Sequence, residues 1–176
     1  MRLYFVRHGQ TNDNAGIDVA DRDVRDKFLN DTGVAQANNA AETLKSIHFD
    51  AILSSPLKRT MQTAEIINKY HDLPIVAVSN LRELEADIYL DAESWNNSFD
   101  FDNAKAIDGV EPIDVFFDRV YAAFDLIKKD YVDQNVLLVS HGGVRHALTA
   151  YAGRLPLKGS MLSERMENCQ VLTYEL

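Results

Sequence analysis

The chain has 176 residues, of which 46% are hydrophobic, and a formal net charge of −9. That length fits one domain, 1–176, with a sizeable core, and no apolar run approaches the ~20 residues that cross a bilayer. The acidic balance argues against nucleic acid as a partner, since affinity for it comes from basic residues that neutralise phosphates.

The first strand is predicted over Arg2 to Val6. The opening stretch is apolar for too few residues to form the core of a signal peptide. Gly16 to Asn30 is charged and reads as a loop or short surface helix. Asp31 or Thr32 caps a helix running to about Ile47, with Ala35, Ala40, Ala41 and Leu44 as its apolar stripe. Ala51 to Leu53 is a short strand, and Ser55-Pro56 reads as a cap followed by proline in the first helical position. That helix continues through Met61, Ala64, Ile66 and Ile67 toward Tyr70, and a third strand follows at Ile75 to Val78.

Asp87 to Glu111 breaks the rhythm. It is acidic, mixes in Tyr89, Trp95, Phe99 and Phe101, and reads as an irregular excursion with about one helical turn. Pro112 opens a long helix with Phe116, Val120, Ala123, Phe124, Ile127 and Tyr131 at helical spacing. Val136 to Ser140 has the continuous apolar character of a buried strand. A helix over Gly142 to Ala152 and a strand over Gln170 to Tyr174 complete the chain. Alternating strands and helices predict a mostly parallel sheet in a three-layer α/β/α sandwich. Cys169 is the only cysteine, which excludes an intrachain disulfide and points to a reducing, cytoplasmic setting.

Two histidines stand at the ends of apolar runs. Arg7-His8-Gly9 follows Leu3-Tyr4-Phe5-Val6, and His141-Gly142-Gly143 follows Val136 to Ser140. Ligands of open α/β sheets bind at strand tips, and each tip leads toward a helix start, where anions are favoured. Arginine offers a planar fork that matches phosphate oxygens. Nearby cations disfavour protonation of an imidazole and so keep it nucleophilic. The pattern points to phosphate chemistry on a histidine. His8 and His141 lack the further His/Cys cluster that a zinc site needs, so no metal is expected. His48, His71 and His146 have no such context and read as structural or exposed.

Five blocks taken together resemble the histidine phosphatase superfamily, which includes cofactor-dependent phosphoglycerate mutases and many small phosphatases. They are Arg7-His8-Gly9-Gln10-Thr11 with Asn14, then Leu29-Asn30 with Gly33, Gln36 and Ala37, then Ser54 to Ala64. Leu81-Arg82-Glu83-Leu84 and Ser140-His141-Gly142-Gly143 follow in the family's order. The resemblance implies a phosphoglycerate mutase-like fold and a nucleophilic His8 that becomes phosphohistidine. It implies that Arg7, Arg59 and His141 clamp the phosphoryl oxygens, with Asn14 and the Gly142 amide as supporting donors. Glu83 would protonate the leaving alcohol and then activate water. No cofactor is implied, and the expected partner is a small phosphorylated metabolite.

The pattern departs from the family in two places. Gln10 stands where the family often has glutamate, which bears on support of the loop rather than on the chemistry. After Glu83, Asp87, Tyr89 and Asp91 replace a common glycine–aromatic–glycine pattern. The segment 87–111 holds seven acids and one base, Lys105. If it covers the active site, it repels a second anionic group on the substrate. The expected activity is that of a metal-independent phosphomonoesterase. The alternatives are a phosphoglycerate mutase and a non-catalytic module that binds a phospho-ligand or a protein. The sequence leaves the substrate and the oligomeric state open, as it does any part played by Arg22 and Arg25 in the pocket.

Overall fold

Strand β1 (Arg2–Arg7) lies between two neighbours, parallel to β4 (Asn135–Ser140) on one side and antiparallel to β5 (Val171–Glu175) on the other. Beyond β4 the sheet continues with β2 (Ala51–Ser54) and β3 (Ile75–Ala77), both parallel, giving the order β3-β2-β4-β1-β5. This computed structural model describes residues 1–16, 27–86, 97, 100, 107–153 and 166–176. Its helices are α1 (Asp31–Leu44), α2 (Lys58–Asn68), α3 (Ile113–Asp130) and α4 (Gly142–Tyr151). None is long and apolar enough to cross a membrane among the described residues.

Strand side chains alternate between the two faces of the sheet, and the core divides accordingly. Leu3, Phe5, Leu53, Val136 and Leu138 pack with Phe116, Val120, Phe124 and Ile127 of α3 and with Val144, Ala147 and Leu148 of α4. Val6, Ile52, Leu137 and Val139 pack on the opposite side with Ala37, Ala40, Ala41 and Leu44 of α1 and with Ala64 and Ile67 of α2. The result is the expected three-layer α/β/α sandwich. Strands β1 and β4 are neighbours, yet the chain leaves β1 for the α1 face and β4 for the α4 face. Two connections that diverge at adjacent strand tips open a crevice, the switch point where ligands of such sheets bind. His8 and His141 are the first residues beyond those tips.

Several boundaries differ from expectation for local reasons. The cap of α1 is Asn30, whose side chain accepts from the Gly33 amide at 2.8 Å, rather than Asp31 or Thr32. The helix ends at Leu44, and its stripe runs through Ala37 while Ala35 is exposed. Ser55 does not cap α2: its hydroxyl is engaged with His141, and its amide donates to Val139. Pro56 therefore precedes the helix, and Leu57 is the capping residue. An unpredicted 3-10 turn, Ser79–Leu81, leads into Glu83. The prediction for residues 17–26, with Arg22 and Arg25, lies outside the described residues, as does most of the acidic 87–111 segment with its role as cover.

Candidate active site

The loop after β1 is built on backbone contact. A Cβ on Gly9 would stand 2.5 Å from the Gly33 carbonyl oxygen, and one on Gly33 would stand 2.1 Å from that of Gln10. Only two glycines allow this loop to rest on the first turn of α1. Gln10 is the hub of the contact. Its amide donates to Gln36 (2.9 Å), its carbonyl accepts from the Asn30 amide (3.0 Å), and its side chain accepts from Asn30 Nδ2 (3.1 Å). Gln10 thus supports the loop, the place where its departure from the family was expected to act.

His8 is buried, and its amide continues the ladder of β1 by donating to Ser140 at 2.9 Å. Its Nδ1 lies 2.8 Å from the Gly9 carbonyl, which can only accept. The proton therefore sits on Nδ1, and the Nε2 lone pair is available. That lone pair faces Arg59, whose Nε donates to it at 3.3 Å. Burial above all, then the charges of Arg59 and Arg7, holds the ring's pKa well below its ordinary value, against the opposing Gly9 bond.

His141 is assigned by the same logic. Arg59 Nη2 stands 3.2 Å from Nδ1, and a guanidinium only donates, so Nδ1 is the acceptor. The proton on Nε2 then meets Ser55 Oγ at 2.8 Å. The two imidazoles lie 5.3 Å apart between centroids, with Arg59 reaching both. Burial and then Arg59 hold the His141 pKa well below the usual range. Arg7 donates to the Met166 carbonyl, and the nearest atom to a Cβ built on Gly142 is Arg7 Nε at 3.9 Å. Gly142 opens α4, placing the helix N-terminus beside these cations.

Glu83 is half-buried at the same place. Its Oε2 accepts from the Gly143 amide at 3.1 Å and its Oε1 from the Leu84 amide at 3.2 Å. Withdrawal from water raises its pKa and outweighs the Gly143 bond and the charges of Arg59 and Arg7. Asn14 is exposed, and its Oδ1 accepts from the Thr11 amide at 3.2 Å, closing a turn next to the loop.

Further residues that the sequence did not single out complete the site. Thr63 Oγ1 accepts from the Gly9 amide (3.1 Å) and donates to the Arg59 carbonyl (2.7 Å), tying the His8 loop to α2. Asn168 Nδ2 donates to the His8 carbonyl at 2.8 Å, and the Cys169 amide donates to that of Arg7 at 2.9 Å. Ser55 and Thr63 lie within a block already noted, but Asn168 carries no local signal. Glu111, counted among the acids of the excursion, is instead paired with Arg119 at 2.6 Å.

Two imidazoles whose unprotonated nitrogens face Arg59, a second arginine, a helix start and a protonatable carboxyl converge on one crevice. This set can accept a phosphoryl group on nitrogen and exchange a proton with its leaving group.

Comparison with known proteins identifies the family. Residues 3–176 match the family model of the histidine phosphatase superfamily (branch 1). The chain is 35% identical over 148 residues to a Bacillus subtilis protein named uncharacterized phosphatase PhoE, covering 82% of this chain and 73% of that one. It is 30% identical over 181 residues to the probable phosphoglycerate mutase GpmB of Photorhabdus laumondii, covering 97% and 83%. The crystal structure of the alpha-ribazole phosphatase from Shigella flexneri superposes with a TM-score of 0.82 at 26% identity, covering 100% of this chain and 91% of that one. The chain belongs to branch 1 of the histidine phosphatase superfamily.

Proposed function

We propose that the chain is a metal-independent phosphomonoesterase acting on a small phosphorylated metabolite through phosphorylated His8. The observation that carries this reading is the state of the His8 ring. Nδ1 is locked by the Gly9 carbonyl, and Nε2 is unprotonated and turned toward Arg59. A phosphoryl group arriving at Nε2 enters between ring and guanidinium, and the arginine's donors pass from nitrogen to phosphoryl oxygen. Arg7 and the start of α4 supply further positive character, and such fixed donors provide most of the stabilisation in phosphoryl transfer. Asn14 and the Gly142 amide are assigned as supporting donors.

The Nε2 lone pair attacks phosphorus, and a P–N bond forms as the P–O bond to the alcohol breaks. Glu83, whose hold on a proton is strengthened by withdrawal from water, gives its proton to the departing oxygen. The resulting carboxylate then takes a proton from water as the water oxygen attacks phosphorus. The P–N bond breaks, and inorganic phosphate leaves. His141 donates to a phosphoryl oxygen once the dianion favours a proton on Nδ1, which its neutral, ligand-free form lacks.

The test is to trap the phosphoenzyme. Rapid quenching in alkali should preserve a phosphorylated chain that acid destroys. His8→Ala should lack it and lose turnover by a factor on the order of 10⁴ or more. A phosphoenzyme in His8→Ala, or full turnover by it, overturns the assignment. Measuring phosphate release beside isomerisation of phosphoglycerate separates a phosphatase from a mutase. Absence of both activities together with retained phosphate binding would leave a binding module.

A further inference from the structure

Glu83 lies on a stretch that belongs to neither helix nor sheet, between the turn at Ser79–Leu81 and the isolated pairing of Ala86 with Val110. One side chain of α3 binds three carbonyls of that stretch and of the turn before it. Arg119 Nη1 donates to the carbonyls of Asn80 (2.8 Å) and Arg82 (2.9 Å), and its Nη2 donates to that of Glu83 itself (3.0 Å). The same guanidinium is fixed by Glu111, with Nε on Oε1 at 2.6 Å and Nη2 on Oε2 at 2.7 Å. Glu111 reaches the stretch independently: its Oε2 accepts from the Glu85 amide at 3.1 Å, and its amide donates to the Glu85 carbonyl at 2.7 Å.

Both side chains are mostly withdrawn from water, at 17% and 12% exposure, so this is not a solvated surface pair. The Arg119 guanidinium also lies 4.8 Å over the Phe116 ring, which fixes its plane. A planar fork with five N–H donors can hold three carbonyls of one turn and a carboxylate at once; an ammonium with three donors on a flexible stem cannot.

We propose that Arg119, locked by Glu111, is a positioning residue that sets the Glu83 carboxyl against the leaving-group oxygen. The inference rests on the reading of Glu83 as the proton donor. It explains how a stretch outside the sheet and the α-helices can aim an acid, where a small displacement costs much of the rate. The Arg119 charge reaches His141 only as the last of the influences on that ring, after burial, Arg59, His8 and Arg7, so a positioning role leaves the phosphoryl clamp nearly intact.

The test compares kcat/KM, which reports the step that expels the alcohol, for p-nitrophenyl phosphate and for an alkyl phosphate. Wild type, Glu83→Gln, Arg119→Lys and Glu111→Gln are measured together, with inhibition by inorganic phosphate as the readout of the clamp. Arg119→Lys and Glu111→Gln should lower the alkyl value about tenfold more than the aryl value while phosphate inhibition stays within about twofold. Guanidinium ion added to Arg119→Ala should partly restore the alkyl rate. Equal losses on both substrates, or phosphate inhibition that weakens in step, make Arg119 a structural staple and overturn the proposal. If Arg119→Lys does not fold, the nearly isosteric Glu111→Gln decides. A Glu83→Gln variant with no selectivity removes the acid assignment and the proposal with it. A selective Glu83→Gln beside unselective Arg119 and Glu111 variants overturns the proposal alone.

Discussion

At the scale of single residues, the site runs on three groups whose proton affinities are displaced in opposite directions. His8 and His141 are held neutral by burial and by Arg59, while Glu83 is pushed toward its protonated form by withdrawal from water. For catalysis, the acid must carry its proton. The kcat/KM for alkyl phosphates should therefore fall as pH rises through the elevated Glu83 pKa, and Glu83→Gln should lack that limb. A pH–rate profile with the same alkaline limb in both proteins removes Glu83 from the acid role.

For stability, the histidines carry the opposite sign. An unfolded histidine titrates at 6.5, whereas both folded rings resist protonation. Below that pH the unfolded chain binds protons that the folded one refuses, so stability is lost as pH falls. Glu83 works the other way, because its raised pKa means the folded chain holds a proton longer than the unfolded one. His8→Gln should flatten the decline of stability between about pH 7 and 5 by roughly one proton's worth of slope, measured by denaturant melts at each pH. An unchanged slope shows that the folded ring does not resist protonation.

At the scale of elements, the catalytic loop is only as accurate as its seat on α1. Gly33 and Gln10 approach too closely for any side chain, and Gln10 is two residues from His8. Gly33→Ala should cost roughly 2–3 kcal/mol in stability and lower kcat by about tenfold, read from thermal melts and steady-state rates. A variant with unchanged melting and rate shows that the loop has slack. The same element logic accounts for Ser55. A sequence of serine then proline reads as a helix start, but here the hydroxyl is given to His141 and α2 begins three residues later. Local capping preference lost to a buried imidazole that needs an acceptor.

At the scale of the whole molecule, a cluster of arginines and helix dipole sits within a chain of net charge −9. Long-range repulsion therefore opposes any substrate bearing charge beyond the reacting phosphate. Glu111 is neutralised by Arg119, and the sequence places six further acids in the 87–111 stretch. Monoesters with neutral tails should be turned over with kcat/KM at least about tenfold above bisphosphates at low salt, with the gap narrowing as salt is added. A clear bisphosphate preference overturns this expectation.

The strands, the helices, the three layers and the residues Arg7, His8, Arg59, Glu83 and His141 were all legible in the chain. Apolar periodicity reports which surfaces are buried, and reactive groups sit at fixed offsets from strand ends. The family followed from five blocks in order, since each block is a local run. The supporting partners were not legible: Asn168 against His8, Thr63 between loop and helix, and Arg119 with Glu111 beneath Glu83. Asn168 is 160 residues from the backbone it holds, and Arg119 is 36 from the carbonyl of the acid. Composition and spacing identify which groups can do the chemistry. Their aim comes from hydrogen bonds across distant segments, and these exist only once the sheet has brought its strand tips together.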